Sequence, residues 1–176
     1  MNPQLAADSG AAGVVTSKTG PHFSDYEVIV IGAGPYGLSA GTHLKGKGIK
    51  ACVLGEPMEF WASKMPEGML LRSPREASNL SDPEAAFTLD AYEAAVGKQP
   101  AAPVPLDTFV AYGKWFRQQL GSDLDTRNVA EVERENGLFR VTLRDGQVIR
   151  SKRVVVAAGI GQFKRKPEVF RNLPES

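Results

Sequence analysis

The stretch Val28-Ile29-Val30-Ile31-Gly32-Ala33-Gly34-Pro35-Tyr36-Gly37 constrains this chain more than any other. Four consecutive β-branched apolar residues, with no polar break, read as a strand of a parallel sheet buried on both faces. Three glycines in G-x-G-x-x-G spacing follow, and then a helical pattern through Leu38, Ala40, Leu44 and Lys45. In such a corner Gly32 allows the tight turn from strand to helix, and Gly34 lets a diphosphate approach the backbone. Gly37 lets the helix pack close against the strand. Pro35 suits the first helical turn, where its missing N–H costs no bond. The helix N-terminus then presents free N–H groups and a positive dipole end to the phosphates. Ala33 and Tyr36 occupy the variable places of the motif and belong to the same site. The competing reading is a glycine-rich turn without a ligand. The flanking strand and helix favour dinucleotide binding, because the motif requires that context.

Ile49 to Leu54 is a second apolar strand, which establishes βαβ order. The predicted fold class is therefore α/β, a Rossmann-like domain with a parallel sheet. At 176 residues the chain holds one domain with a sizeable core. Residues 1–24 are rich in Ala, Gly and Ser and are expected to form a disordered tail that includes His22; residues 25–176 form the domain. The first helix is expected from Pro35 to about Lys47, ended by Gly46 and Gly48. His43 falls inside it and reads as a structural residue.

A formal net charge of +1 gives no reason to expect nucleic acid or an acidic membrane surface. The short Lys164-Arg165-Lys166 cluster reads as a solvated loop. The single cysteine, Cys52, excludes an internal disulfide and a C-x-x-C redox pair. No apolar run is long enough to span a bilayer, and the N-terminus lacks the pattern of a signal peptide. A cytoplasmic location is expected. The sequence offers no metal-ligand spacing, no Ser-His-Asp set and no paired carboxylates, so no catalytic residue is nominated.

In dinucleotide folds a carboxylate about 20 residues past the glycines bonds the adenosine ribose. Glu56 is the candidate, one place late, because Gly55 stands where that carboxylate often ends the strand. The alternative is an exposed loop carboxylate. The segment from Pro57 to Leu106 is long and proline-punctuated, and holds Met58, Phe60, Trp61, Met65 and Met69. Such a surface suits a wall for a flat aromatic ligand, with local core packing as the competing reading. Pro100 to Pro105 is a stiff connector. Asp107 or Thr108 is then expected to cap a helix with the apolar face Phe109, Tyr112, Phe116 and Leu120, flanked by Trp115 and stopped by Gly121. Val129 to Arg134, Leu138 to Leu143 and Gln147 to Arg150 alternate apolar and polar residues. Asn136-Gly137 and Asp145-Gly146 join them, which predicts a small antiparallel meander. The backbone at Val129 is expected to border an adenine. Val154-Val155-Val156-Ala157-Ala158-Gly159 reads as another buried strand, whose small residues let backbone lie beside a ligand.

Together these pieces resemble the two-dinucleotide-binding-domain flavoproteins, in which the first G-x-G-x-x-G binds FAD. Ala157-Ala158-Gly159 after the meander looks like their second FAD fingerprint. The loop resembles the flavin- and NADPH-dependent N-hydroxylating monooxygenases of lysine or ornithine side chains. That likeness runs through Met69-Leu70-Leu71-Arg72-Ser73-Pro74-Arg75-Glu76, Leu80-Ser81-Asp82-Pro83, Phe87 to Tyr92, and Pro105-Leu106 with the helix after it. Leu70 stands where those enzymes tend to carry Gln, and Arg75-Glu76 where they carry Lys-Asp. Trp61, soon after the second strand, resembles related Baeyer–Villiger monooxygenases. The resemblance implies an FAD site that also takes in Trp61 and Met69, with Arg75 against flavin or nicotinamide. It implies that NADPH, as co-substrate, reduces the flavin, which then uses O₂ to oxygenate a soft nucleophile. No second G-x-G-x-x-G follows Gly159. The expectation is therefore the N-terminal FAD-binding portion of such an enzyme, acting on a small molecule. A second copy, or a complementary chain with the NADPH domain, would complete it. The alternative is a non-catalytic nucleotide-binding module that keeps the fold without turnover.

Overall fold

The computed structural model describes residues 25–163 and 165–172, so the expected tail with His22, and Lys164 of the basic cluster, lie outside the described residues. The apolar run after Asp25 forms β1 (Tyr26–Ile31). It lies between β2 (Ala51–Leu54) and β8 (Val148–Val156), parallel to both, with Val30 opposite Val53 and Val155. The six-stranded sheet runs in the order β5-β2-β1-β8-β7-β6. Here β5 is Leu124–Asp125, β6 Val129–Glu135 and β7 Leu138–Leu143.

Both faces of β1 are covered, which is why its sequence does not alternate. Val28 and Val30 pack into the core beneath α1 (Pro35–Gly46) and α4 (Leu106–Phe116), with Leu38, Tyr112 and Phe116. Ile29 packs on the other face with Cys52, Leu54, Val141 and Leu143. The meander thus serves as the second cover of the sheet's centre.

The structure corrects several expectations. Gln147–Arg150 and Val154–Val156 are not separate strands, because β8 is continuous through Ser151-Lys152-Arg153. Its first half pairs antiparallel with β7, and from Ser151 onward it pairs parallel with β1. The polar break hid that continuity. Ser151 is buried with its hydroxyl donating to the Arg153 carbonyl at 2.8 Å, while Lys152 and Arg153 are exposed. Gly46 remains within α1, and only Gly48 (φ +67°) takes the left-handed turn. Strand β2 begins at Ala51 rather than Ile49.

Helix α4 begins at Leu106, with Pro105 preceding it and no side-chain cap. The Asp107 carboxylate accepts from the Thr108 N–H at 2.6 Å inside the first turn, so neither residue caps. The helix ends at Phe116 and a 3₁₀ turn carries the chain through Arg117–Gln119. Its apolar face is as spaced: Phe109, Tyr112, Phe116 and Leu120 are all buried. Between β2 and α4 lie α2 (Glu59–Lys64), α3 (Leu89–Val96) and a two-stranded antiparallel sheet of β3 (Leu70–Leu71) with β4 (Val104–Pro105). Thr88 caps α3 by accepting from the Ala91 N–H at 3.1 Å. Among the described residues no helix is long and apolar enough to cross a membrane.

Candidate dinucleotide site

The corner between β1 and α1 opens on a cavity of about 750 Å³, within the range of small-molecule and cofactor sites. Two of the three glycines are required by the protein itself. A Cβ on Gly32 would lie 2.3 Å from the Ala157 carbonyl oxygen, and one on Gly37 would lie 1.8 Å from the Gly32 carbonyl oxygen. Gly34 differs. Its backbone is extended (φ −74°, ψ −177°), and a Cβ there would meet no heavy atom within 4 Å. No side chain caps α1, so its first N–H groups face the cavity beside Gly34 without a protein partner from a cap.

Backbone bonds lock this corner to the strands around it. The Gly32 N–H donates to the Leu54 carbonyl and the Ala157 N–H to the Ile31 carbonyl, each at 2.8 Å. Gly55 (φ +121°) donates to the Asp125 carbonyl at 2.9 Å. Glu56 next to it is exposed, and among the described residues its carboxylate has no hydrogen-bond or ion-pair partner. Gly32, Ala33, Gly34, Pro35, Tyr36, Gly55, Glu56, Trp61, Val129, Ala157, Ala158 and Gly159 all line the cavity, so the structure brings together most of the residues nominated from sequence. Gly37 stands behind the wall as the packing contact.

The loop after β2 divides between the two roles weighed for it. Phe60, Trp61 and Met65 line the cavity, and Trp61 meets Phe109 edge to face with centroids 4.8 Å apart. Met58 is instead a core plug, fully buried, with φ +60°. Its N–H donates to the Ala33 carbonyl at 3.0 Å, and its thioether fills the space that a Cβ on Gly113 would occupy, 2.5 Å from Sδ. One residue therefore ties the glycine corner to α4 and immediately precedes α2, which presents the aromatics.

Two nominated residues are not brought to the cavity. Met69 packs against the core beside the β3–β4 sheet. Arg75 donates to Asp90, to the buried Glu93 and to the Ala101 carbonyl, which occupies its guanidinium away from the site. A lone basic residue in a loop carries no sequence mark of such partners fifteen and eighteen positions later.

Nothing local in the sequence marks how the wall from Ser73 to Ser81 is held. Ser39 accepts from the Ser81 N–H at 3.0 Å, Thr42 donates to the Ser81 carbonyl at 3.2 Å, and His43 Nε2 lies 2.9 Å from Ser81 Oγ. His43 is thus structural, as expected. Asp82 gathers the N–H groups of Glu84, Ala86 and Phe87. Burial would raise its pKa, but those three donors outweigh it and hold the carboxyl below the usual value. The Tyr112 hydroxyl donates to the Phe87 carbonyl at 2.6 Å and accepts from the Leu80 N–H at 3.0 Å. Burial pushes that phenol up to about 12. Asn128 and Arg144 also line the cavity. Among the described residues there is no cluster of three or more His, Cys, Asp or Glu able to hold a metal ion.

A family model described as pyridine nucleotide-disulphide oxidoreductase matches residues 29–172. The chain belongs to that family. None of the curated proteins compared with it matches. Among solved structures, a flavin-containing monooxygenase from Stenotrophomonas maltophilia superposes with a TM-score of 0.64 at 23% identity, covering 78% of this chain and 39% of that one. The bacillithiol disulfide reductase Bdr from Staphylococcus aureus gives 0.61 at 20%, with the same coverages. OTEMO in complex with FAD and NADP gives 0.66 at 17%, covering 82% of this chain and 27% of that one. At these identities the likeness is one of fold, and this chain spans 39% or less of the length of each protein. The family name refers to disulphides, yet Cys52 is the sequence's one cysteine. It is buried in β2, and burial pushes its thiol up to about 11.

Proposed function

We propose that this chain is the FAD-binding part of a flavin-dependent oxidoreductase whose reaction is an NADPH-dependent monooxygenation of a small molecule. The observation that carries the reading is Gly34. Its backbone geometry suits any residue and its side-chain space is empty, so the fold itself has no need of glycine there. A diphosphate approaching the α1 N-terminus does need it. The residues present fit a dinucleotide: uncapped helix N–H groups at the corner, a Glu56 carboxylate unpaired among the described residues, and an aromatic wall.

In this reading the α1 N-terminus binds the diphosphate, Glu56 accepts from the ribose hydroxyls, and backbone at Val129 borders the adenine. Trp61, Phe60 and Phe109 shield the flavin half from water. FAD, when bound, supplies the hydride acceptor and the reaction with O₂. Monooxygenation is favoured by the likeness of the loop after β2 to the flavin- and NADPH-dependent N-hydroxylating monooxygenases, and Cys52 itself, buried with its thiol pushed up to about 11, is poorly placed as a redox thiol. The nicotinamide site and the rest of the sheet belong to a further segment, a second copy or a complementary chain, in a cytoplasmic protein. The apolar residues left exposed after the meander support that part: Val156, Ile160, Phe163 and Val169 are each at least 74% exposed.

The test is the absorption spectrum of the purified chain. Bound flavin that travels with the protein through gel filtration is the expected result. A chain that emerges colourless and takes up no FAD when titrated would refute the reading.

A further inference from the structure

Two opposite charges line the cavity near Val129 and form no pair with each other. Glu56 follows Gly55 just after β2, and Arg144 lies in the turn between β7 and β8. Arg144 is the one cationic residue among the described residues that line the cavity. They form no ion pair with one another, and the Arg144 guanidinium has no hydrogen-bond or ion-pair partner among the described residues.

That freedom is arranged by its neighbours. Asp145, adjacent in the same turn, would be its natural partner. Its carboxylate is instead held by the Gln147 N–H and by Arg127, each at 2.9 Å. Arg127 itself is saturated by Asp125, Asp145 and Gln147. The backbone of Arg144 is meanwhile fixed, its N–H donating to the Asn128 carbonyl at 2.9 Å, with the turn closed by the Leu143 N–H to the Gln147 carbonyl at 2.8 Å. Asn128 borders Gly55, its Oδ1 3.9 Å from the place a Cβ would take there. The turn therefore delivers an unpaired planar cation, on an anchored backbone, to the shelf next to Glu56 and Val129.

We propose that Arg144 is a binding residue for the adenosine-monophosphate half of the dinucleotide, its guanidinium covering the exposed face of the adenine. A planar cation on an aromatic ring is attracted by the ring's negative face and removes that face from water. This rests on the dinucleotide reading above, and it assigns to Arg144 a role that the glycine motif does not predict.

The experiment compares the chain with Arg144→Ala and Arg144→Leu, both at an exposed position where the fold is not at stake, with circular dichroism as the check. FAD affinity is measured by flavin fluorescence, and its two halves, AMP and FMN, by displacement of FAD. Both variants should bind FAD and AMP about five- to thirty-fold more weakly, with FMN unchanged. Equal affinities in variant and parent, or a loss shared equally by FMN, would overturn the assignment while leaving the dinucleotide site in place. Failure of the parent chain to bind FAD or AMP would instead strike at the dinucleotide reading itself.

Discussion

Substituting valine at Gly34 and at Gly37, three residues apart in one motif, should separate binding from folding. At Gly34 the backbone already lies in the region valine prefers, and the new side chain meets nothing within 4 Å. The folded protein then loses only the mild preference for glycine over an apolar residue at a helix N-cap, about 1 kcal/mol. Restricting the unfolded chain offsets about half of that. At roughly 2–4 °C per kcal/mol for a chain of this size, the melting temperature of the ligand-free protein should move by less than about 4 °C. At Gly37 the added Cβ would sit 1.8 Å from the Gly32 carbonyl oxygen and 2.9 Å from its carbon. Both are backbone atoms of the corner itself, so α1 must move bodily off β1. A cost above about 4 kcal/mol is expected, in the range reserved for severe overpacking. Thermal melts without ligand, followed by FAD titration of whichever variant stays folded, read both effects. The expected pair is a folded Gly34→Val without FAD binding and a Gly37→Val that is largely unfolded. FAD affinity unchanged in a folded Gly34→Val would refute the phosphate assignment. Two equal losses of stability would refute the division of labour between the glycines.

Three further outcomes follow from the contacts. Glu56→Ala should weaken FAD binding by about 1–3 kcal/mol, the worth of a hydrogen bond to a charged group, with the melting temperature of the ligand-free chain unchanged; an unaltered affinity by calorimetry would move the ribose contact elsewhere. Arg75→Ala strands the Glu93 carboxylate, whose side chain is 2% exposed, and should cost about 3–5 kcal/mol in urea unfolding while leaving FAD affinity intact. A selective loss of FAD affinity there would return Arg75 to the cofactor site. Asp82, Asp125 and Asp145 all titrate below the ordinary value of 3.8, so the stability they contribute is complete above that value and is lost as pH falls below it through their folded-state values. Melting temperature should therefore drop steeply under about pH 4, and Asp82→Asn should soften that drop; a flat profile down to pH 2 would contradict it.

What the sequence made legible is what depends on local pattern. The β1 run, the glycine spacing and the 3–4 spacing of Phe109, Tyr112, Phe116 and Leu120 each state their own burial, and the structure has each where it was expected. Features set by distant partners were not legible. The resemblance sets Arg75 against the cofactor until Asp90 and Glu93 are seen to enclose it, and Met58 reads as wall until Gly113 is seen to leave it a socket. Strand β8 reads as two strands because Ser151-Lys152-Arg153 is polar, although that stretch is where the strand passes from an antiparallel partner to a parallel one.

That handover at Ser151 is also what joins the two ends of the site. Through β7 the first half of β8 carries the turn with Arg144, while through β1 its second half carries Ala157, Ala158 and Gly159 to the glycine corner. The Ala157 N–H bond to Ile31 and the Gly32 N–H bond to Leu54 then fix that corner against the ends of β1 and β2, the latter leading directly into Gly55 and Glu56. The Arg144 turn and the glycine corner are thus held by one hydrogen-bonded sheet and not by separate loops, the arrangement that would keep the binding groups for a long ligand in fixed register under the proposed reading. The opposite wall, from Phe60 to Ser81, has no strand in that sheet and depends on Met58, Tyr112 and the α1 hydroxyls for its place. Its shape is thus set by side-chain contacts to α1 and α4, where the corner's is set by backbone pairing.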